Sequence, residues 1–342
     1  MIAQLNRNGR RITLRWTFAV AAAWCLAPLQ GQEPAPQMSD EDVVHIGIVA
    51  NAMVPYWFAA KIGAERAARE FGCSVVFTAP ARGTVEKQNA LIDRLIGQGI
   101  NGLLFSAIDP DGITPIIRKA AALRINCITL DSDAPRSGRL LYIGTNNYEA
   151  GRLAARQMVR LLPNGGDVVV FTGNLTARNA TERIRGFEEV AGRAGLRIVD
   201  RFSDDLDQEQ AVENTRLALE KYPNLDGIFG VYSYNGPAAA AVLQSMQDIM
   251  MVKKVRIVCF DTEPMTIEML RQGLIDATIA QKPYNMGYIG VRWLYRMAVD
   301  GVERTLERAP KDRFIDTGCE VITADNLDQY LKSLEKIGIK SQ

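Results

Sequence analysis

Histidine is almost missing from this 342-residue chain: His45 is the only one. One imidazole, at the start of a strand-like run, is a poor basis for a metal cluster or a nucleophilic triad. No metal, cofactor or His-dependent chemistry is therefore expected, and His45 itself is assigned no role. The common catalytic loops are missing too: G-x-x-x-x-G-K-[ST], G-x-G-x-x-G after a strand, the G-x-S-x-G elbow and H-E-x-x-H. Paired carboxylates could still hydrolyse a glycoside, but nothing in the sequence sets their separation. An enzyme is not the expected reading. The five cysteines include no C-x-x-C pair. Cys73, Cys127 and Cys259 sit in or beside apolar runs, so free thiols are expected there and at Cys319.

Charge of one sign is also lacking. The formal net charge is +1. Arg7, Arg10, Arg11 and Arg15 face no acid within residues 1–31, and setting them aside leaves the remainder at −3. Such a body has no electrostatic footprint for nucleic acid. The one long apolar run, Trp16–Leu29, is too short for the roughly 20 residues of a membrane span. Behind a basic stretch and before Gly31, it reads as an export signal over residues 1–31. Arg10-Arg11 lacks the flanking pattern of a twin-arginine signal, and bulky Trp24 argues against lipid attachment at Cys25. Residues 32–43 read as a polar, disordered lead-in.

From Val43 onward, short apolar runs alternate with helical patterns. Val43–Ala50, Cys73–Thr78, Gly102–Ser106 and Ile125–Leu130 read as strands, with helices from Pro55 to Phe71, Val85 to Gly99 and Ile113 to Leu123. After Leu140–Gly144 a second series of the same kind runs through Asp167–Thr172, Leu196–Val199, Gly227–Val231, Val255–Phe260 and Ala277–Ala280. Continuous apolar strands separated by helices imply parallel sheets covered on both faces. The expected fold is α/β, two doubly wound parallel-sheet domains joined by a hinge crossed near Thr145, Gln281 and Asp316. Gly287–Val299 reads as one more helix and Thr317–Thr323 as the last extended segment. The expected division is 44–145 plus 282–316 and 146–281 plus 317–342.

Two strands end on acids: Ile125–Leu130 on Asp131 and Val255–Phe260 on Asp261. In open α/β sheets that edge is where ligands sit. Singly, either acid could be a turn or cap residue. Around them the loops carry Asn51, Tyr56, Trp57, Arg183, Tyr232, Asn235 and Gln281. Aromatic faces stack on sugar rings, and Asp, Arg, Asn and Gln offer multidentate bonds to hydroxyls. Arg183 in a charged first turn could equally be a solvated face. Tyr232 and Tyr234 flank Ser233, so alternation would let at most one reach a given pocket.

Asp131 after Ile-Thr-Leu, Tyr142-Ile143-Gly144-Thr145-Asn146-Asn147 with Ala150-Gly151, Glu182-Arg183 with Gly186-Phe187, Phe260-Asp261 and Ala277–Gln281 carry a resemblance over about Val44 to Tyr330. The chain resembles the periplasmic sugar-binding proteins of ABC transporters, in the ribose-binding branch. That resemblance implies the type I periplasmic binding protein fold, a monosaccharide or polyol ligand, a membrane permease as partner, a periplasmic or cell-surface location and a monomer. It implies that Tyr56 and Trp57 sandwich the sugar, while Asp131, Asp261, Arg183 and Gln281 bond its hydroxyls. Ser132, Tyr232 and Val54 depart from the ribose pattern, which argues against assuming ribose. A receptor subunit serving a chemoreceptor or sensor kinase is the alternative.

Overall fold

Apolar runs and helical patterns alternate in the computed structural model, which describes residues 43–81, 84–173, 175, 177–247 and 254–339. The expected export signal and nearly all of the lead-in lie outside the described residues. The first half runs β1 (His45–Val49), α1 (Tyr56–Phe71), β2 (Ser74–Thr78), α2 (Val85–Gly97), β3 (Gly102–Phe105), α3 (Thr114–Ala122), β4 (Asn126–Leu130) and β5 (Leu141–Gly144). The second runs α4 (Asn147–Leu161), β6 (Gly166–Thr172), α5 (Arg178–Arg193), β7 (Leu196–Ser203), α6 (Gln208–Lys221), β8 (Gly227–Gly230), α7 (Asn235–Gln247), β9 (Arg256–Phe260), α8 (Pro264–Arg271) and β10 (Ala277–Gln281). The chain closes with α9 (Pro283–Asp300), α10 (Val302–Leu306), β11 (Phe314–Asp316), β12 (Cys319–Ile322) and α11 (Leu327–Lys336).

Two six-stranded sheets result, in the orders β11-β5-β4-β3-β1-β2 and β12-β10-β9-β8-β6-β7. Every pairing is parallel except β10 with β12. Central strands such as β3 and β8 are buried at every position, as expected when helices cover both faces. In each sheet the order reverses, between β1 and β3 and between β6 and β8, which opens a crevice at the strands' carboxyl ends.

The extended segment expected at Thr317–Thr323 is β12, and a short strand that was not expected, β11, precedes it. β11 pairs with β5 in the first sheet and β12 with β10 in the second, so the chain crosses between sheets inside a short linker. Gly318, at φ 71°, lies in that linker. Helices α10 and α11 were not foreseen. α11 has Leu327, Tyr330 and Leu331 in the second core, a stripe short enough to be hidden among charged neighbours.

The two halves share a packing device. A Cβ at Gly287 of α9 would lie 2.0 Å from the carbonyl oxygen of Ala60 on α1, and one at Gly151 of α4 would lie 2.0 Å from that of Arg183 on α5. Both helix pairs are therefore in backbone contact, which only residues without a side chain permit. The second contact fixes the height of Arg183 above its sheet. The four cysteines among the described residues are free. Burial pushes the Cys127 and Cys259 thiols up to about 12.

Candidate functional site

Asp131 and Asp261 occupy corresponding places in the two halves, each just past its strand. Both have left-handed backbones, with φ of 58° and 67°, a conformation uncommon outside glycine and least costly for Asp and Asn. Their backbones are pinned alike. The Asp131 N–H donates to Ile143 and its carbonyl accepts from the Tyr142 hydroxyl at 2.8 Å. The Asp261 N–H donates to Ile279 and its carbonyl accepts from Thr278 Oγ1 at 2.7 Å. Non-glycine residues held this way over-determine a carboxylate's direction, and such strain clusters at functional sites.

The side chains are hydrogen bonded yet under-compensated. Asp131 accepts from the Tyr56 hydroxyl at 3.0 Å and from Ser106 Oγ at 3.3 Å. Asp261 accepts from Gln281 Nε2 at 2.9 Å, and Gln281 Oε1 in turn accepts from Thr145 Oγ1 at 2.9 Å. Burial pushes the Asp131 carboxyl up to about 6 despite the nearby Arg183 charge, and pushes Asp261 up for the same reason. Desolvation outweighs the hydrogen bonds and the cation at both acids. The Tyr56 hydroxyl is raised as well, by burial and then by the two carboxylates. The charges of opposite halves therefore act on one another across a single cleft.

Arg183 is the cation of the cluster and is no solvated face: it is 2% exposed. Its Nε donates to Asn147 Oδ1 at 2.9 Å and its Nη1 to the Val231 carbonyl at 2.8 Å. Its guanidinium lies 4.0 Å from the Phe260 ring centroid, within cation–π range. Asn147 follows Thr145 and Asn146 in the hinge stretch, and that position was its available signal. Ser106 ends β3 as Asp131 ends β4, so strand-end position was its available signal.

Other expected site residues are placed differently. Tyr56 and Trp57 do not form a sandwich: their rings meet edge to face, centroids 5.1 Å apart at 88°. Neighbours at the start of one helix point about 100° apart, and Trp57 turns into the core at 2% exposure. Its indole N–H donates to Asn51 Oδ1 at 2.9 Å, which places Asn51 as the support of that tryptophan. Asn235 is 1% exposed. It accepts from the Tyr232 N–H at 2.9 Å and donates to Asp204 Oδ2 at 2.8 Å, so it builds the turn that presents Tyr232. Tyr232 and Tyr234 do not alternate. Residues 232–234 form a turn rather than a strand, and the two rings run nearly parallel, centroids 6.3 Å apart. The structure thus brings Tyr56, Asp131, Arg183, Asp261 and Gln281 together, with Tyr232 within reach of their charges.

The halves also touch beside this cluster. Arg178 Nη1, on α5, lies 3.3 Å from Asp133 Oδ2, a carboxylate that Arg139 already holds through two bonds. Among the described residues, no group of His, Cys, Asp and Glu is arranged to hold a metal ion.

Residues 46–303 match the periplasmic binding protein domain family. The chain belongs to that family. It is 24% identical over 277 residues to the ribose import binding protein RbsB of Bacillus subtilis, covering 81% of this chain and 88% of that one. Among solved structures, an ABC transporter solute-binding protein from Burkholderia graminis in complex with D-arabinose superposes with a TM-score of 0.77 at 32% identity, covering 86% of this chain and 99% of that one. The XylFII–LytSN complex contains a chain matching at a TM-score of 0.72 and 29% identity, covering 83% of this chain and 98% of that one. As a periplasmic binding protein, the chain has the two parallel-sheet α/β domains typical of the family. No helix of the described residues is long and apolar enough to cross a membrane.

Proposed function

We propose that the protein is an exported solute-binding protein that captures a monosaccharide or related polyol between its two domains and delivers it to an ABC permease. The observation that carries this is the pair of strained strand-end carboxylates, Asp131 and Asp261, facing one cleft with Arg183. Their partners within the chain do not compensate their desolvation. Vicinal hydroxyls would, because each O–H donates to an ionised oxygen and charge-assisted bonds are the strong ones. Arg183 supplies the complementary donor for a ring or hydroxyl oxygen, and Tyr56 and Tyr232 supply aromatic walls. Two carboxylates against one guanidinium favour a neutral ligand over an anionic one.

Domain closure fits the same layout. The chain passes between the sheets near Thr145, Gln281 and Gly318, and the places of β11 and β12 in different sheets support the division 44–145 plus 282–316 against 146–281 plus 317–342. Thr145 and Gln281 then couple the hinge to Asp261 through their two hydrogen bonds. We place the protein in the periplasm as a monomer, acting by binding rather than by turnover. Calorimetry against pentoses, hexoses and polyols tests this: one class binds, and Asp261→Ala loses most of the affinity while remaining folded. Binding by none of the panel, or wild-type affinity in the variant, would refute it. The XylFII–LytSN likeness supports a second reading in which the same capture reports to a sensor protein; co-purification of a permease or of a sensor separates the two.

A further inference from the structure

A cavity of about 590 Å³ opens beside the carboxylate cluster and shares three of its residues, Tyr56, Asp261 and Gln281. Pockets of roughly 300–1,000 Å³ hold drug-sized ligands, more than a single sugar ring requires. Away from the shared end, its walls are mostly apolar and come from both domains. Phe58 and Ile62 of α1 and Tyr284 of α9 form one side; Ile267 of α8 and Leu334 of α11 form the other. Phe58 is 56% exposed, an uncovered aromatic at the wall of this cavity. Exposed rings in a concave apolar site leave burial energy for a ligand to gain.

We infer that the ligand is a neutral glycoside, its polyol ring held at Asp131, Asp261 and Arg183 and its apolar aglycone seated in this cavity. The inference rests on the sugar-capture reading above. Continuity identifies the occupant: a ring bonded to Asp261 and Gln281 stands at the cavity's polar end, so an arm on that ring has the apolar walls directly ahead of it. The carboxylates of Glu263 and Glu320 also line the cavity, with Lys282 as its cation, which disfavours an acidic arm.

Calorimetry with D-ribose, D-arabinose, D-xylose and D-allose, and with both anomeric phenyl glycosides of each, tests it. At least one phenyl glycoside should bind tenfold or more tighter than its parent sugar. Ile62→Trp and Leu334→Trp, which fill the cavity from opposite domains, should abolish that gain while the thermal midpoint and parent-sugar affinity stay near wild type. A parent sugar that binds while none of its phenyl glycosides binds more tightly would overturn the inference alone, as would a gain that survives both variants. Failure of every sugar and every glycoside to bind would overturn the sugar-capture reading and this inference with it.

Discussion

Replacing Asp131 by Asn should make the protein more stable and worse at binding. Without ligand, the Asp131 carboxyl is pushed from an ordinary 3.8 to about 6 by burial. At about 1.4 kcal/mol per pH unit, that is about 3 kcal/mol withheld from the fold once the group is ionised. The folded-state value lies above the unfolded one, so folding favours the protonated carboxyl. The favourable contribution is complete below about pH 4 and is lost as pH rises through about 6. Asparagine keeps the shape and tolerates φ 58°, but its amide has one acceptor where Tyr56 and Ser106 both donate. One hydroxyl must then turn to accept from the NH₂, and losing its charge-assisted bond to the carboxylate costs about 1–2 kcal/mol. The net gain near pH 8 is therefore about 1–2 kcal/mol, at about 2–4 °C of melting midpoint per kcal/mol for domains of this size. Sugar affinity should fall about 5–30-fold, as charge-assisted bonds become neutral ones. Melting curves of both proteins at pH 5 and pH 8, with calorimetric binding at pH 8, make the comparison. A lower midpoint for Asp131→Asn at pH 8, or an advantage that does not shrink toward pH 5, would show that the carboxylate is not under-compensated.

Two further predictions concern the supports of the cluster. Arg183→Lys preserves the charge but cannot serve Asn147, Val231 and the Phe260 ring together, so sugar affinity should fall about 10-fold or more with a lowered midpoint; wild-type affinity would reduce Arg183 to a point charge. Gly287→Ala would press a methyl group to within 2.0 Å of the Ala60 carbonyl oxygen and should cost about 3 kcal/mol or more by denaturant melting. Gly97→Ala, with open space around it, should be neutral or stabilising, and equal behaviour of the two variants would contradict the backbone contact.

Strand and helix alternation was legible because fully buried parallel strands need unbroken apolar runs, a local property of the chain. The strand-end acids were legible for the same reason: each terminates such a run, so its position in the sheet follows from composition. Arg183 could be named but not understood, since a solvated arginine and one buried between Asn147, Val231 and Phe260 share the same local sequence. Trp57 and Asn235 show the opposite failure. Both residue types suit a sugar, yet Trp57 faces the core and Asn235 is consumed by its own turn, outcomes set by helix rotation and turn geometry.

What the chain determined by itself was the repeating βα order, two halves of like design, and an acid at the end of a matching strand in each. What only the tertiary structure decided was which side chains face one another across the cleft. Facing depends on the left-handed backbones of Asp131 and Asp261, on glycine contacts that set the height of Arg183, and on β11 and β12 joining different sheets. Each of these joins residues far apart in sequence, and local patterning carries no record of such distances.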